Sequence, residues 1–147
     1  MIVRAAIDTN VLIYAISSDP READKRQIAE QLLIQPDWGT STQVLQEFYV
    51  NAIKGKVPTM TPAQAAHAVD TLMERPVVGM DASLMKAALR IHQRYQISYW
   101  DAAVLAAAVE LGATTLYTED MNHGQVYEGV RVENPFLEFS NLTGTAE

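Results

Sequence analysis

Cysteine is missing altogether, and histidine occurs three times. The first absence excludes a disulfide framework, thiolate zinc sites and cysteine nucleophiles; the second leaves little for an imidazole-built metal site. No apolar run approaches the roughly 20 residues needed to cross a bilayer, the longest being Ala102–Val109. The amino-terminal "MIVRAAIDTN" moves straight into strand-like sequence without the layout of a secretory signal, so a soluble, cytoplasmic chain is expected. Positive charge is also scarce: 11 Lys and Arg stand against 18 Asp and Glu, a net charge of −7. A surface that binds polyanions over its whole extent is thereby disfavoured, although a local basic strip beside an acidic pocket is compatible with that total.

What is present fits one globular domain over residues 1–147, with a loose tail from about 140. "IVRAAI" (2–7) reads as a buried strand, followed by a helix through "VLIYAI". Asp19-Pro20-Arg21-Glu22 reads as a helix entry, continued by "ADKRQIAEQLL". "DWGTST" suits a short strand and turn, with Thr42 capping a helix that stops near Gly55. Thr61-Pro62-Ala63-Gln64 and Ser98-Tyr99-Trp100-Asp101 read as capping boxes, Asp81 as the cap of a helix between them, and Gly112 as a helix stop. Strands are expected at 114–118 and 130–135. Short strands alternating with helices indicate an α/β fold around a central, mainly parallel sheet.

In such folds ligands gather outside the carboxyl ends of the strands. Asp8 ends the first strand of "IDTNVLIY", and Asp120 lies just past another in "LYTEDMNHG". Glu47 falls on the flank of an apolar face made by Val44, Leu45, Phe48 and Ala52, and Asp101 occupies the first turn of its helix. Taken singly, each acid has a local role open to it: turn or N-cap for Asp8, capping box for Asp101, solvated helix face for Glu47, tight loop for Asp120. Together they would be restrictive, because two like charges about 4 Å apart repel by roughly 4 kcal/mol at an effective dielectric near 20. A convergent set must take up protons or a cation, and hard oxygen donors suit Mg²⁺ or Mn²⁺.

In order and spacing, "IDTNVLIY", the Glu of "LQEFY", "SYWDAAVLAAA" and "LYTEDMNHG…VRVENPF" resemble the signature segments of the PIN-domain ribonucleases, most of all the VapC-type toxins of bacterial toxin–antitoxin pairs. The likeness runs from Ile2 to about Phe139. It implies a three-layer α/β/α fold and metal-dependent hydrolysis of RNA phosphodiesters. It also implies a VapB-like antitoxin and a homodimer, whose contact residues no periodicity identifies. Carried over by residue, Asp8, Glu47, Asp101 and Asp120 fall on the family's acidic quartet. Asp8 and Asp101 would be the principal ligands, with Glu47 and Asp120 completing the pocket through a second metal or by orienting water. Thr9, Asn10, Thr118 and Asn122 fall where supporting polar residues stand. Because side chains alternate along an extended segment, only one of Glu119 and Asp120 should face the pocket; the family pattern favours Asp120.

Three other readings compete, and the sequence speaks against the first. A haloacid-dehalogenase-like phosphatase would want a second Asp where Asn10 stands. A solitary RNA-processing nuclease and a non-catalytic binding module share the same segments. Lys86, Arg90 and Arg94 recur every four residues and read first as a solvated face, second as a strip for an RNA backbone, as do Lys54 and Lys56. His123 reads as an exposed loop residue, and Trp38 and Trp100 as packing residues rather than base-stacking platforms.

Overall fold

A computed structural model describes residues 2–137, so the expected loose tail from 140 lies outside the described residues. The strands are β1 (Ala5–Ile7), β2 (Trp38–Ser41), β3 (Val77–Val78), β4 (Thr115–Tyr117), β5 (Val126–Tyr127) and β6 (Val130–Glu133). The helices are α1 (Thr9–Ala15), α2 (Ala23–Ile34), α3 (Thr42–Ile53), α4 (Pro62–Leu72), α5 (Ala82–Tyr95) and α6 (Tyr99–Leu111). One six-stranded sheet runs in the order β3-β2-β1-β4-β6-β5. All pairs are parallel except β5–β6.

The chain steps outward from β1 to β2 and β3, then returns to the other side of β1 to lay down β4. Right-handed crossovers in opposite directions put their helices on opposite faces. Packing follows that division: α1 meets α2 and α3, α3 meets α4, and α5 meets α6. Between β1 and β4 the sense of winding reverses, and there the carboxyl ends of neighbouring strands open a crevice.

The helix α6 explains how the sheet is covered. Ala102 to Ala108 are all buried, because α5 covers the side that the sheet does not. Alanine at most of these positions lets the helix axis approach the strands closely. At Gly39 in β2 the packing leaves no room for a side chain: an added Cβ would lie 2.8 Å from the Pro76 carbonyl oxygen and 3.0 Å from a Leu111 methyl. At the other end of the helix, the Gln43 amide reaches the Trp100 carbonyl at 3.5 Å. The amino terminus of α6 therefore points to the same sheet edge at which α1 and α3 begin.

The structure amends several sequence expectations. Pairing in β1 starts at Ala5, β4 is confined to Thr115–Tyr117, and β6 stops at Glu133. Pro20–Glu22 forms a separate 3-10 turn, in which Asp19 accepts from the Arg21 amide before α2 begins. Ser41, not Thr42, caps α3: its backbone is still extended and its hydroxyl accepts from Val44 N–H, so Thr42 is already the first helical residue. Ser98 accepts from the Asp101 amide as expected. The full reciprocal capping box is formed at Thr61 and Gln64. β3 and β5 are additional strands. β5 and β6 are joined by a two-residue turn, Glu128-Gly129, with both φ positive (50° and 80°), the geometry that matches hairpin twist. Among the described residues no helix is long and apolar enough to cross a membrane.

The close approach at Gly39 has a measurable consequence. Gly39→Ala should lower unfolding free energy by about 1–3 kcal/mol, the usual cost of overpacking, because the nearest obstacle is backbone. Urea unfolding of the two proteins checks this, and equal midpoints would contradict it.

Candidate active site

Asp8 is the first residue beyond β1 and the N-cap of α1. Its amide donates to the Tyr117 carbonyl, which continues the β1–β4 ladder by one step and holds the residue at the floor of the crevice. Only 7% of its surface is exposed. Oδ1 accepts from Thr9 N–H at 2.7 Å and Oδ2 accepts from the Thr118 hydroxyl at 2.8 Å. Burial, opposed by these two bonds and reinforced by the charges of Asp120 and Glu47, raises its carboxyl to about 6.

Thr118 stands at the equivalent place after β4 and is fully buried. Its hydroxyl has one proton and two lone pairs, and all three are used. It donates to Asp8 and accepts from Asn10 Nδ2 at 3.1 Å and from the Asp120 amide at 3.1 Å. Asn10 also donates to Asp120 Oδ2 at 3.1 Å and accepts from Glu119 N–H at 3.3 Å. One side chain thus clamps the loop after β4 to the first turn of α1.

Adjacent residues then part. Glu119 turns to the Tyr14 hydroxyl and to Lys25, whose ammonium is 3.2 Å away. Asp120 stays exposed on the crevice side, its carboxylate held by Asn10 and its amide by Thr118. Alternation along the segment and the clamp at Asn10 together place Asp120 with the acids and Glu119 away from them.

Glu47 is carried by α3, little more than one turn from its start. Thr9 Oγ1 donates toward Glu47 Oε2 at 3.2 Å, and Gln43 donates to Oε1 at 3.0 Å. Asn51 bonds the Glu47 carbonyl rather than its carboxylate. Asp101 lies half-buried in the first turn of α6. Burial raises its carboxyl, a bond with the Ser98 side chain opposes this, and Asp120 and Glu47 push it further up. Asp8 and Asp101 thus sense the same two neighbours. The amino termini of α1, α3 and α6 meet at this edge, and their dipoles favour negative charge.

Among the described residues no ion pair involves any of these four acids. Nor do three acidic or histidine groups stand close enough to enclose one ion as placed. The arrangement offers instead one or two carboxylates at a time. That is how Mg²⁺ is ordinarily held, with water and substrate phosphate completing its shell. All-oxygen donors and the absence of a cationic partner fit such an ion chemically.

Of the expected supporting residues, Thr9, Asn10 and Thr118 join the acids. Asn122 does not: it donates to Gln125 at 3.2 Å and braces its own turn. His123 accepts from Asn134 N–H at 3.0 Å, a loop role. Trp38 is buried as expected, its indole donating to Leu33 and the Arg75 guanidinium lying over its ring. Trp100 departs from expectation with 67% of its surface exposed. The stretch of α6 buried on every side begins at Ala102, and Trp100 lies in the first turn before it. Lys86, Arg90 and Arg94 are exposed on α5, with Arg94 paired to Glu128. Lys54 and Lys56 are exposed beyond α3.

The buried Asp8 carboxyl dictates how stability varies with pH. A carboxyl raised from 3.8 to about 6 on folding favours the folded state most below pH 3.8, and that advantage is lost as pH rises to about 6. With divalent ions chelated, Asp8→Asn should therefore be more stable than the parent by about 1–3 kcal/mol at pH 8. The difference should shrink toward zero near pH 4. Thermal midpoints across that range test this, and a gap independent of pH would contradict it.

Comparison with known proteins follows the same outline. The model of the PIN domain matches residues 5–129. No curated protein sequence matches the chain. Among solved structures, a toxin–antitoxin complex from Klebsiella pneumoniae is 22% identical with a TM-score of 0.67, covering 89% of this chain and 97% of that one. VapBC2 from Rickettsia felis, bound to a promoter DNA fragment, is 21% identical with a TM-score of 0.62, covering 91% and 98%. VapC20 of Mycobacterium tuberculosis, described as a toxin cleaving the sarcin–ricin loop, is 21% identical with a TM-score of 0.59, covering 86% and 98%. At these identities the likeness is one of fold, while the domain model spans most of the sequence. The chain belongs to the PIN domain family.

Proposed function

We propose that this chain is a divalent-metal-dependent endoribonuclease and the toxin of a type II toxin–antitoxin pair. The observation that carries the reading is the buried Asp8 carboxylate at the β1–β4 crevice, near acids that form no ion pair among the described residues. Support for the toxin role comes from the family and from the toxin–antitoxin complexes whose fold the chain shares. Cytoplasmic action, a VapB-like antitoxin that blocks the crevice, and a homodimer belong to the same proposal.

In this reading Asp8 and Asp101 are the principal ligands of Mg²⁺ or Mn²⁺, and Glu47 and Asp120 complete the pocket. When bound, such an ion lowers the pKa of water and offsets negative charge developing on a phosphate. The chain's own residues supply orientation. Thr118 and the Thr9 amide fix the Asp8 carboxylate, Asn10 fixes Asp120, and Thr9 with Gln43 fixes Glu47. With these rotamers set in advance, little order remains to be gained when substrate arrives. Attack by water at phosphorus forms one P–O bond as the bond to a ribose oxygen breaks, giving two shorter strands. Single-stranded RNA is the expected substrate class, because its backbone can be drawn into a narrow crevice.

The test is incubation of purified protein with total cellular RNA in Mg²⁺ or Mn²⁺, beside a chelated control. Discrete fragments are expected only with the metal. Asp8→Asn combined with Asp101→Asn should reduce their rate of formation by more than about 100-fold, beyond the loss usual for outer-shell groups. Asp120→Asn should impair cleavage far more than Glu119→Gln. Cleavage that survives the double variant would overturn the assignment. So would its absence with every metal, from protein shown to be folded and free of inhibitor.

A further inference from the structure

An exposed tryptophan beside a set of acids is an unusual expenditure of apolar surface. Trp100 is one position before Asp101 in the first turn of α6, and two-thirds of it is open to solvent. It lines an open depression of about 510 Å³ together with Gln43, Gln46 and Glu47. Its position is held at two points. Tyr99 meets it edge to face, with ring centroids 5.2 Å apart at 79°. Gln43 reaches the Trp100 carbonyl at 3.5 Å while donating to Glu47 at 3.0 Å. The same amide therefore ties the Trp100 backbone and a pocket carboxylate together.

We propose that Trp100 is a stacking platform for an unpaired nucleobase next to the scissile phosphate, with Gln43 and Gln46 flanking the edge of that base. The inference rests on the nuclease reading of the acids for its substrate class. Indole is the side chain best suited to accept the flat face of any base, and amides can both donate to and accept from base edges. Among the described residues the depression carries Glu47 and no lysine or arginine, so it does not suit a phosphate. A neutral, flat group joined to the phosphate at the acids suits it. The platform would give affinity to single-stranded RNA in a chain whose net charge of −7 repels polyanions at long range.

Fluorescence reads this directly, because Trp38, 3% exposed, is the other tryptophan of two. The protein is titrated with a single-stranded eight-nucleotide RNA in Ca²⁺, a hard cation that carboxylates hold without the strict octahedral geometry of Mg²⁺, so that cleavage does not erode the titration. The same length of abasic backbone serves as the control. RNA should quench the emission and the abasic strand should quench it little. Trp100→Ala should weaken RNA binding by about 5- to 100-fold, the range measured for lost base–aromatic stacking, and Trp100→Phe should restore most of it. The proposal falls if RNA leaves the emission unchanged, if the alanine variant binds like the parent, or if phenylalanine does no better than alanine in a folded protein. An indole silent to RNA in a chain that cleaves RNA would assign the exposed ring to a protein contact instead. A chain quenched by RNA whose unsubstituted form cleaves none refutes the nuclease reading and leaves the platform standing.

Discussion

The hydrogen bond from the Thr118 hydroxyl to the Asp8 carboxylate joins the ends of two neighbouring parallel strands at the point where the sheet reverses its winding. Much of the site hangs from it. It keeps a buried carboxylate partly solvated by protein, it fixes the loop that carries Asp120, and it leaves Thr118 to accept from Asn10. Without it, Asp8 would retain only the Thr9 amide, and burial would drive its carboxyl higher still. The fold supplies the place, since β1 and β4 meet side by side only because the chain returns past β1 after β3.

Electrostatics and architecture are coupled at this edge. Three helices direct their amino termini toward it, which eases the concentration of negative charge without neutralising it. Glu119 makes the contrast: it has Lys25 and Tyr14 as partners, whereas the residue beside it has neither. A pocket in which Asp120 and Glu47 push up the carboxyls of Asp8 and Asp101, while the neighbouring Glu119 is paired with Lys25, has chemistry that suits positive charge from outside. The helix α6 links this pocket to the core. Its last residue, Leu111, packs against β2 at Gly39, and its other end carries Asp101 and Trp100 to the crevice.

Much of this was legible in the sequence because it rests on local patterns. Asp8 was readable as a strand end, Thr61 and Gln64 as a capping box, and Gly112, at φ 79°, as a helix stop. The α/β alternation and the segment motifs indicated the sheet. What escaped was set by tertiary contact. β3 is two residues long and is a strand only because Thr40 and Ser41 lie beside it. β5 could have been found from the Glu128-Gly129 turn between alternating residues, a signal weakened by glutamate at a left-handed position. The partners of Asn122 and the exposure of Trp100 depend on which way a loop and a helix face, which no spacing in a single sequence records. Ser41 and Thr42 are both competent caps, and the extended backbone at 41 decided between them.

The central claim is that the crevice acids are held ready for a divalent cation, and calorimetric titration of the protein with Mn²⁺ tests it most directly. Binding that requires Asp8 is predicted, accompanied by proton release near pH 6, where its carboxyl is partly protonated, and by almost none at pH 8. Heats measured in buffers of different ionisation enthalpy separate the proton from the metal. Failure to bind Mn²⁺, or binding unaltered by Asp8→Asn, would contradict the account.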